Sequence, residues 1–183
     1  MLRRVGSDVR IASVPSDLDG ATKLILPGIG AFDTCARNLR AAGFEEPLRR
    51  LILEGGMPVL GICVGAQLLT RSSEEGHEPG LGWIEATTRR FPRGDLKVPH
   101  MGWNEVQAVQ DHPLMEGYDS IPRFYFVHSY YMKPDRDENI LSYTLYGEKF
   151  ASAIVKDNIM GVQFHPEKSH RFGLQLMRNF VQI

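Results

Sequence analysis

One cysteine of the chain stands where a protein fold can make it a nucleophile. Cys63 lies in the run Gly61-Ile62-Cys63-Val64-Gly65, at the point where a predicted strand, residues 58–62, meets a predicted helix. A side chain on such a turn is held in a strained conformation, and flanking glycines let strand and helix approach closely. The helix N-terminus favours the thiolate, and the N–H of Val64 can stabilise the oxyanion of a tetrahedral intermediate. The pattern therefore predicts nucleophilic catalysis.

A histidine and a carboxylate near the end of the chain supply the other groups that a cysteine nucleophile needs. His165 and Glu167 lie two residues apart in Gly-Val-Gln-Phe-His-Pro-Glu. In an extended segment, residues i and i+2 share a face, so Glu167 can orient the ring of His165. Taken alone, Cys63 could be a buried structural cysteine, and His-Pro-Glu could be a surface turn. Together they predict a nucleophile, a base and the group that orients the base.

Three other positions are candidates for the same site, each with a plainer alternative. Gly28 and Gly30 follow a predicted strand and could offer a second oxyanion donor, although Pro-Gly after a strand is usually a turn. Gln67 lies four residues after Cys63 on the same helix face and could reach a bound substrate, or it could be solvated. Cys35, inside an Ala-rich helix and with no basic neighbour on a turn, is expected to be inert packing.

The elements that must position these residues alternate between apolar runs and helical patterns, which predicts an α/β fold. From residue 83 to 163 the pattern changes to β-rich segments, which we expect to add antiparallel strands. The predicted strands are 9–13, 23–26 and 58–62, with a β-rich segment at 123–132; the predicted helices are 31–42, 48–54 and one that follows Ser169. The last helix places Phe172, Leu176 and Phe180 on one face, and residues 1–5 predict a helical turn that Gly6 ends.

Composition excludes several classes of protein. The 183 residues suit a single domain, 1–183, and the net charge of −1, without a long basic run, argues against nucleic-acid binding. No segment is apolar enough to span a membrane and none has the pattern of a signal peptide, so a cytoplasmic protein is expected. The neighbouring His165 and His170 lack the carboxylate or cysteine company of a metal site, so we expect no metal.

These motifs, in this order, resemble those of the class I (triad) glutamine amidotransferases along nearly the whole chain. The resemblance implies a flavodoxin-like, three-layer fold with a mostly parallel central sheet, and no cofactor. It also implies that Cys63 attacks the side-chain amide of glutamine, that His165 protonates the departing ammonia and activates water, and that Glu167 holds His165. Glutamate and ammonia are the implied products.

Within that class, four segments are most similar to the glutaminase subunits of imidazole glycerol phosphate synthases. They are Leu26–Phe32, Pro99–Asn104, Tyr125–Tyr131 and Gly161–Glu167. By this resemblance, the glutamine pocket is lined by residues of the His-Ser-Tyr stretch, His128, Ser129 and Tyr130. The partner, in a heterodimer, would be a (β/α)8-barrel cyclase that contacts Pro99, Met101 and Trp103. Ammonia would enter the barrel and be used to make imidazole glycerol phosphate and an aminoimidazole carboxamide ribotide, a step of histidine biosynthesis.

Two departures from the family pattern leave alternatives open. The family begins with a strand and an Asp-Tyr-Gly-x-Gly-Asn loop that this chain lacks, so we expect a truncated start and a missing first strand. Val64, Ala66 and the stretch 81–83 resemble paralogues that supply ammonia to enzymes amidating surface sugars. A non-catalytic binding homologue is a further interpretation, and a cysteine hydrolase of peptides or γ-glutamyl substrates is another.

Overall fold

The computed structural model describes residues 1–92, 94 and 96–183. The strands in these ranges are β1 (Leu24–Gly28), β2 (Val59–Cys63), β3 (Ala86–Arg90), β4 (His100–Glu105), β5 (Gln107–Ala108), β6 (Arg123–His128), β7 (Tyr130–Pro134), β8 (Ile140–Tyr146), β9 (Glu148–Lys156) and β10 (Ile159–Val162). The α-helices are α1 (Phe32–Ala41), α2 (Glu45–Arg49), α3 (Val64–Leu68) and α4 (His170–Gln182), and α2 continues as a π-helical segment, Arg50–Glu54. No helix in the described ranges is long and apolar enough to cross a membrane.

The main sheet is mixed, with its parallel part at one end. Its strands run in the order β1-β2-β10-β9-β7-β3, while β8 joins β9 to β5. β1, β2 and β10 are parallel, and the remaining described pairs are antiparallel, including the separate ribbon of β4 and β6. Short turns join β8 to β9 and β9 to β10, which suits antiparallel pairing, whereas parallel pairing needs a long crossover. The predicted α/β class, with antiparallel strands in the second half, is confirmed.

Side chains that alternate along the strands divide the core into two layers of packing, one on each face of the sheet. On β2, Val59 belongs to a cluster with Ile52 of the π-helical segment, whereas Leu60 belongs to a cluster with Phe180 of α4. The sheet therefore lies between helices, in three layers. The predicted apolar face of the last helix is confirmed, since its residues all pack in the α4 cluster: Phe172, Leu176 and Phe180.

In the first 23 residues, one of the two predictions fails. Residues 9–13 form no strand and pair with no neighbour in the described ranges, and Ile11 is 88% exposed. The strand prediction was wrong because it depended on local composition, whereas a strand forms only where a sheet partner is available. The predicted helical turn is present as a 3-10 helix, Leu2–Val5, which Gly6 ends with a φ of 86°.

Candidate active site

Cys63 is the last residue of β2 and the residue before α3. Its φ of 55° and ψ of −116° place a non-glycine residue in a sparsely populated backbone region. Such strain persists only where the surrounding structure enforces it, and it clusters at functional sites. The predicted strand-to-helix elbow is therefore present, and the cysteine is buried at the N-terminal end of the helix.

The glycines on both sides of Cys63 are required by the close approach of β2, α3 and β1. A Cβ on Gly61 would lie 2.6 Å from the Cα of Ala66, and a Cβ on Gly65 would overlap the carbonyl oxygen of Leu26. Both contacts involve backbone atoms, which cannot move aside as a flexible side chain can. The predicted reason for the two glycines is confirmed.

The loop after β1 lies directly beside the elbow. Parallel pairing places Gly28 opposite Cys63, and a Cβ on Gly28 would come within 2.8 Å of the carbonyl carbon of Val64. Gly30 follows with a φ of 88°. Val64 is the first residue of α3, where backbone N–H groups have no intrahelical acceptor. The structure thus brings Gly28 and Val64 together beside Cys63, and Gly30 lies two residues further along the same loop.

His165 and Glu167 form the second half of the site. Nδ1 of His165 lies 2.7 Å from Oε1 of Glu167, so Nδ1 carries the proton that is donated to the carboxylate. Two hydrogen bonds fix the backbone of His165. Its N–H donates to the carbonyl of Tyr125 at 2.9 Å, and its carbonyl accepts from the hydroxyl of Ser169 at 2.6 Å. Nε2 is buried without a hydrogen-bond partner among the described residues. One nitrogen is therefore held by the carboxylate, and the other is available.

The electrostatics of the site favour a charged pair. The neighbouring Cys63 sulfur, which makes the largest contribution, and the hydrogen bond to Glu167 raise the pKa of His165 to about 9, although Nε2 and the sulfur do not have hydrogen-bond geometry. Burial, the largest single influence, acts to raise the pKa of Glu167, but the hydrogen bond from His165, a backbone hydrogen bond and the nearby positive charges together outweigh it, so this pKa lies below its usual value. The arrangement supports an imidazolium at His165, next to the sulfur of Cys63 and held by an ionised carboxylate.

The residues predicted to bind substrate occupy different environments. Gln67 is buried rather than solvated, and its Nε2 donates to the carbonyl of Tyr130 at 3.2 Å and to Oε1 of Gln163 at 3.1 Å. His128 is buried, and both its ring nitrogens have protein partners, so the ring offers glutamine no free polar atom. Ser129 is half-buried between β6 and β7. Tyr130 contributes its backbone carbonyl, which lies within hydrogen-bond distance of both Gln67 and His128.

Gln163 is a site residue that the sequence analysis did not single out. It is fully buried, and its Nε2 donates to Sγ of Cys63 at 3.7 Å. A signal was present, because Gln163 lies two residues before His165 in an extended segment and therefore shares its face. A polar side chain on that face, within a run that is otherwise apolar, needed a buried partner.

A cavity of about 240 Å³ opens next to the histidine and the glycine loop. Its lining includes His165, Glu167 and Gly28, together with Met1 and Leu2 of the first 3-10 turn. A larger cavity of about 400 Å³ lies elsewhere, among charged side chains such as Arg136 and Lys156, and none of the three predicted catalytic residues lines it. The smaller cavity therefore adjoins the histidine side of the site, and Cys63 is not among its lining residues.

The second cysteine lies apart from this chemistry. Cys35 is half-buried in α1, and its thiol donates to the carbonyl of Ile29 at 3.4 Å. Burial raises the pKa of its thiol, which favours the unreactive form. Among the described residues, no group of three or more His, Cys, Asp or Glu side chains could hold a metal ion.

The residues predicted to face a partner lie on the ribbon of β4 and β6. Met101 is 61% exposed and Trp103 is 40% exposed, while Pro99 is half-buried just before β4. The indole of Trp103 stacks on the ring of His170, with centroids 5.6 Å apart and planes at 10°. β6 also supplies Tyr125, whose carbonyl holds the N–H of His165. The exposed apolar side chains of β4 therefore lie on the ribbon that contacts the histidine segment.

A strained cysteine elbow lies beside a buried histidine that is paired with a half-exposed glutamate, on a three-layer α/β fold, and this is the arrangement that a cysteine-dependent triad requires. Residues 2–183 match the family described as glutamine amidotransferase class-I, and the chain belongs to this family. It is similar to the imidazole glycerol phosphate synthase subunit HisH 2 of Pseudomonas aeruginosa, with 50% identity covering 100% of this chain and 91% of the relative. The protein of the same name in Methanococcus maripaludis is 48% identical, with the same coverage.

Solved structures support the fold independently. A glutamine amidotransferase crystal structure superposes with a TM-score of 0.72 at 23% identity, covering 96% of this chain and 89% of that one. The crystal structure of a glutamine amidotransferase from Thermotoga maritima gives a TM-score of 0.59 at 19% identity, covering 97% of this chain and 67% of that one. At these identities the likeness establishes the fold alone.

Proposed function

We propose that the chain is the glutaminase subunit of an imidazole glycerol phosphate synthase, which releases ammonia from L-glutamine for a cyclase partner in histidine biosynthesis. The observation that carries the chemistry is the position of His165. Its Nδ1 is bound to Glu167 at 2.7 Å, and its free Nε2 is buried beside the strained Cys63. The similarity to the two named relatives along the full chain supports this reaction over a peptide or γ-glutamyl hydrolase.

In the first half of the reaction, Sγ of Cys63 attacks the side-chain amide carbon of glutamine. An S–C bond forms, and the carbonyl electron pair moves to oxygen, where the N–H of Val64 and the backbone of the Gly28–Gly30 loop would stabilise it; their closeness to Cys63 supports this role. His165, as imidazolium, gives its Nε2 proton to the amide nitrogen. The C–N bond then breaks, which leaves ammonia and a thioester on Cys63.

The second half returns the enzyme to its starting state. Water gives a proton to Nε2 of His165 as its oxygen attacks the thioester carbon, and the S–C bond breaks to release glutamate and the Cys63 thiolate. Glu167 keeps Nδ1 protonated in both halves, so Nε2 is always the nitrogen that exchanges the proton.

We further propose that the partner docks on the exposed apolar residues of β4. Met101 and Trp103 are the large apolar side chains that β4 exposes, and such side chains often mark protein interfaces. Their ribbon is tied to the histidine segment by Tyr125, so a partner seated there would lie close to the released ammonia. We propose a (β/α)8-barrel cyclase as this partner, in a heterodimer.

The test is glutamate release from L-glutamine by the purified chain, alone and with the cyclase and its ribonucleotide substrate. Cys63→Ala is the blank. We expect release with the cyclase present and none above background in the blank. Release by Cys63→Ala would remove the triad assignment. If the wild type releases glutamate but never more with the cyclase, the alternative partner, a sugar-amidating synthetase, replaces it.

A further inference from the structure

A single backbone carbonyl orients two groups of buried polar side chains. The carbonyl oxygen of Tyr130 lies 2.7 Å from Nδ1 of His128 and 3.2 Å from Nε2 of Gln67. A carbonyl can only accept hydrogen bonds, so both side-chain nitrogens must donate. The carbonyl oxygen of Tyr130 thereby determines the tautomer of His128 and the amide orientation of Gln67.

One line of hydrogen bonds runs from this carbonyl to the exposed ribbon. Burial lowers the pKa of His128 to about 3 and that of His100 to about 4, so both rings are neutral at pH 7 and each carries one N–H. Because His128 donates from Nδ1, its Nε2 must accept from Nδ1 of His100, 2.9 Å away. Nε2 of His100 must then accept from the amide of Asn104 at 3.2 Å, which also donates to the carbonyl of Leu145 at 2.9 Å.

The other line runs from the same carbonyl to the nucleophile. Nε2 of Gln67 has a second hydrogen, which it donates to Oε1 of Gln163 at 3.1 Å. Gln163 is therefore held with its oxygen towards Gln67 and its Nε2 towards Cys63, 3.7 Å from Sγ. Gln67 and Gln163 are both buried, so water cannot readily take the place of either bond.

We propose that Gln163 is a positioning residue for Cys63, oriented through Gln67 by the Tyr130 carbonyl, which the His128–His100–Asn104 line ties to β4. The proposal rests on the proposed function in that Cys63 is taken to be the nucleophile. An amide N–H directed at the sulfur stabilises a thiolate and limits its rotation, and hydrogen bonds to charged groups are among the stronger ones. Asn104 adjoins Trp103 in the sequence, so the outer end of the line lies on the strand proposed to bind the partner.

The first test measures how fast iodoacetamide alkylates each cysteine at pH 7, read by mass spectrometry of the intact chain. Gln163→Met keeps the length of the side chain but removes the donor. We expect alkylation of Cys63 to slow about ten-fold, the size expected for losing a hydrogen bond to a charged group, while Cys35 in the same molecules is unchanged. Asn139→Leu is the control, since it removes another buried amide, which donates to the carbonyl of Val155 at 2.9 Å, away from the site.

The outcomes separate this proposal from the proposed function. If wild-type Cys63 reacts no faster than Cys35, the nucleophile assignment itself fails. If Cys63 is the faster cysteine and Gln163→Met leaves its rate unchanged, or if Asn139→Leu slows it equally, the positioning role of Gln163 is overturned. Circular dichroism of each variant shows whether it is folded, and with the cyclase present a positioning role lowers kcat more than it changes KM.

A second test does not depend on any variant folding. The directed line requires His100 and His128 both to carry their proton on Nδ1 at pH 7, and two-dimensional 15N–1H spectra of the imidazole rings distinguish the two tautomers. We expect the Nδ1–H form for both rings. An Nε2–H form at either ring would reverse the direction of the line and overturn this part of the proposal.

Discussion

His165 has one ring nitrogen bound to Glu167 and the other buried, without a partner among the described residues, beside Cys63. The two nitrogens therefore have separate tasks, and Glu167 assigns them by holding the proton on Nδ1. The raised pKa of His165 also follows from this position, because the neighbouring sulfur contributes more to it than the carboxylate does. At the scale of single residues, the charge state of the proposed base, His165, depends on the proposed nucleophile, Cys63.

This dependence predicts the behaviour of His165 when the sulfur is removed. In Cys63→Ala we expect the pKa of His165 to fall from about 9 towards its ordinary value of 6.5, since the largest cause of the increase is lost. The measurement is an NMR titration of the His165 ring protons. Cys35→Ala, which removes the other thiol, should leave the titration unchanged. A pKa that stays near 9 in Cys63→Ala would show that Glu167 alone holds the charge.

The elements around Cys63 are packed backbone against backbone. α3 lies so close to β1 and β2 that the two flanking positions cannot carry a side chain, which makes the elbow a property of three elements together. Because this close packing requires glycine at fixed positions around the cysteine, it leaves a motif in the sequence. Gly61, Cys63, Gly65 and the pair His165–Glu167 are encoded in short motifs, so their placement was predictable from local patterns.

Gly65→Ala tests the contact between α3 and β1. We expect a loss of roughly 2–4 kcal/mol in the free energy of unfolding, because the added methyl overlaps the carbonyl of Leu26 and the backbone must shift. Gly56→Ala is the matched control: no described atom lies within 4 Å of a Cβ there, and its φ of 67° costs about 1 kcal/mol. Urea unfolding measures both. Equal losses of stability in the two variants would show that the close approach of α3 to β1 adds no further cost.

The buried pair His100 and His128 should make the free energy of unfolding depend on pH. Their pKa values, about 4 and about 3, lie below the ordinary 6.5, so between these limits the unfolded chain binds protons that the folded protein does not. This contribution to stability is complete above pH 6.5 and is lost as the pH falls towards 4 and then 3. At pH 5 we expect a loss of about 2 kcal/mol for each histidine.

Urea unfolding at pH 7 and pH 5 measures that loss. The pKa of His112 is also lowered by burial and adds in the same sense, whereas the raised pKa of His165 acts in the opposite sense, chiefly above pH 6.5. His100→Gln removes one titrating group, so its stability should depend less steeply on pH than that of the wild type. An equally steep dependence would show that the pair does not remain neutral in the fold.

At the scale of the whole molecule, the segment that carries His165 lies against the ribbon of β4 and β6. Contacts between such distant parts of the chain were the hardest to predict from the sequence. Residues 9–13 were wrongly predicted as a strand because sheet pairing is not local. The contact of His128 with His100 could not be predicted, because only the folded ribbon of β4 and β6 brings the two rings together. Gln163 was overlooked because its partners, Gln67 and Cys63, are about a hundred positions away in the chain.

At this scale, Trp103→Ala tests the proposed partner surface. We expect Kd for the cyclase to rise at least about ten-fold, because exposed tryptophans are frequent binding hot spots. The rate of Cys63 alkylation in the isolated chain should stay the same. Leu53→Ala, an exposed apolar residue on the π-helical segment, is the control and should leave Kd unchanged. Isothermal titration calorimetry gives both values, and equal effects would remove β4 as the docking strand.

The hydrogen bond from the N–H of His165 to the carbonyl of Tyr125 links the base to the ribbon that carries Trp103. That amide is therefore a natural reporter for hydrogen–deuterium exchange. Exchange of this amide requires the ribbon and the segment that carries His165 to separate. A partner that binds the ribbon should therefore slow the exchange, even before any glutamine is bound. Exchange at the backbone amide of His165 would in this way report whether the partner is bound.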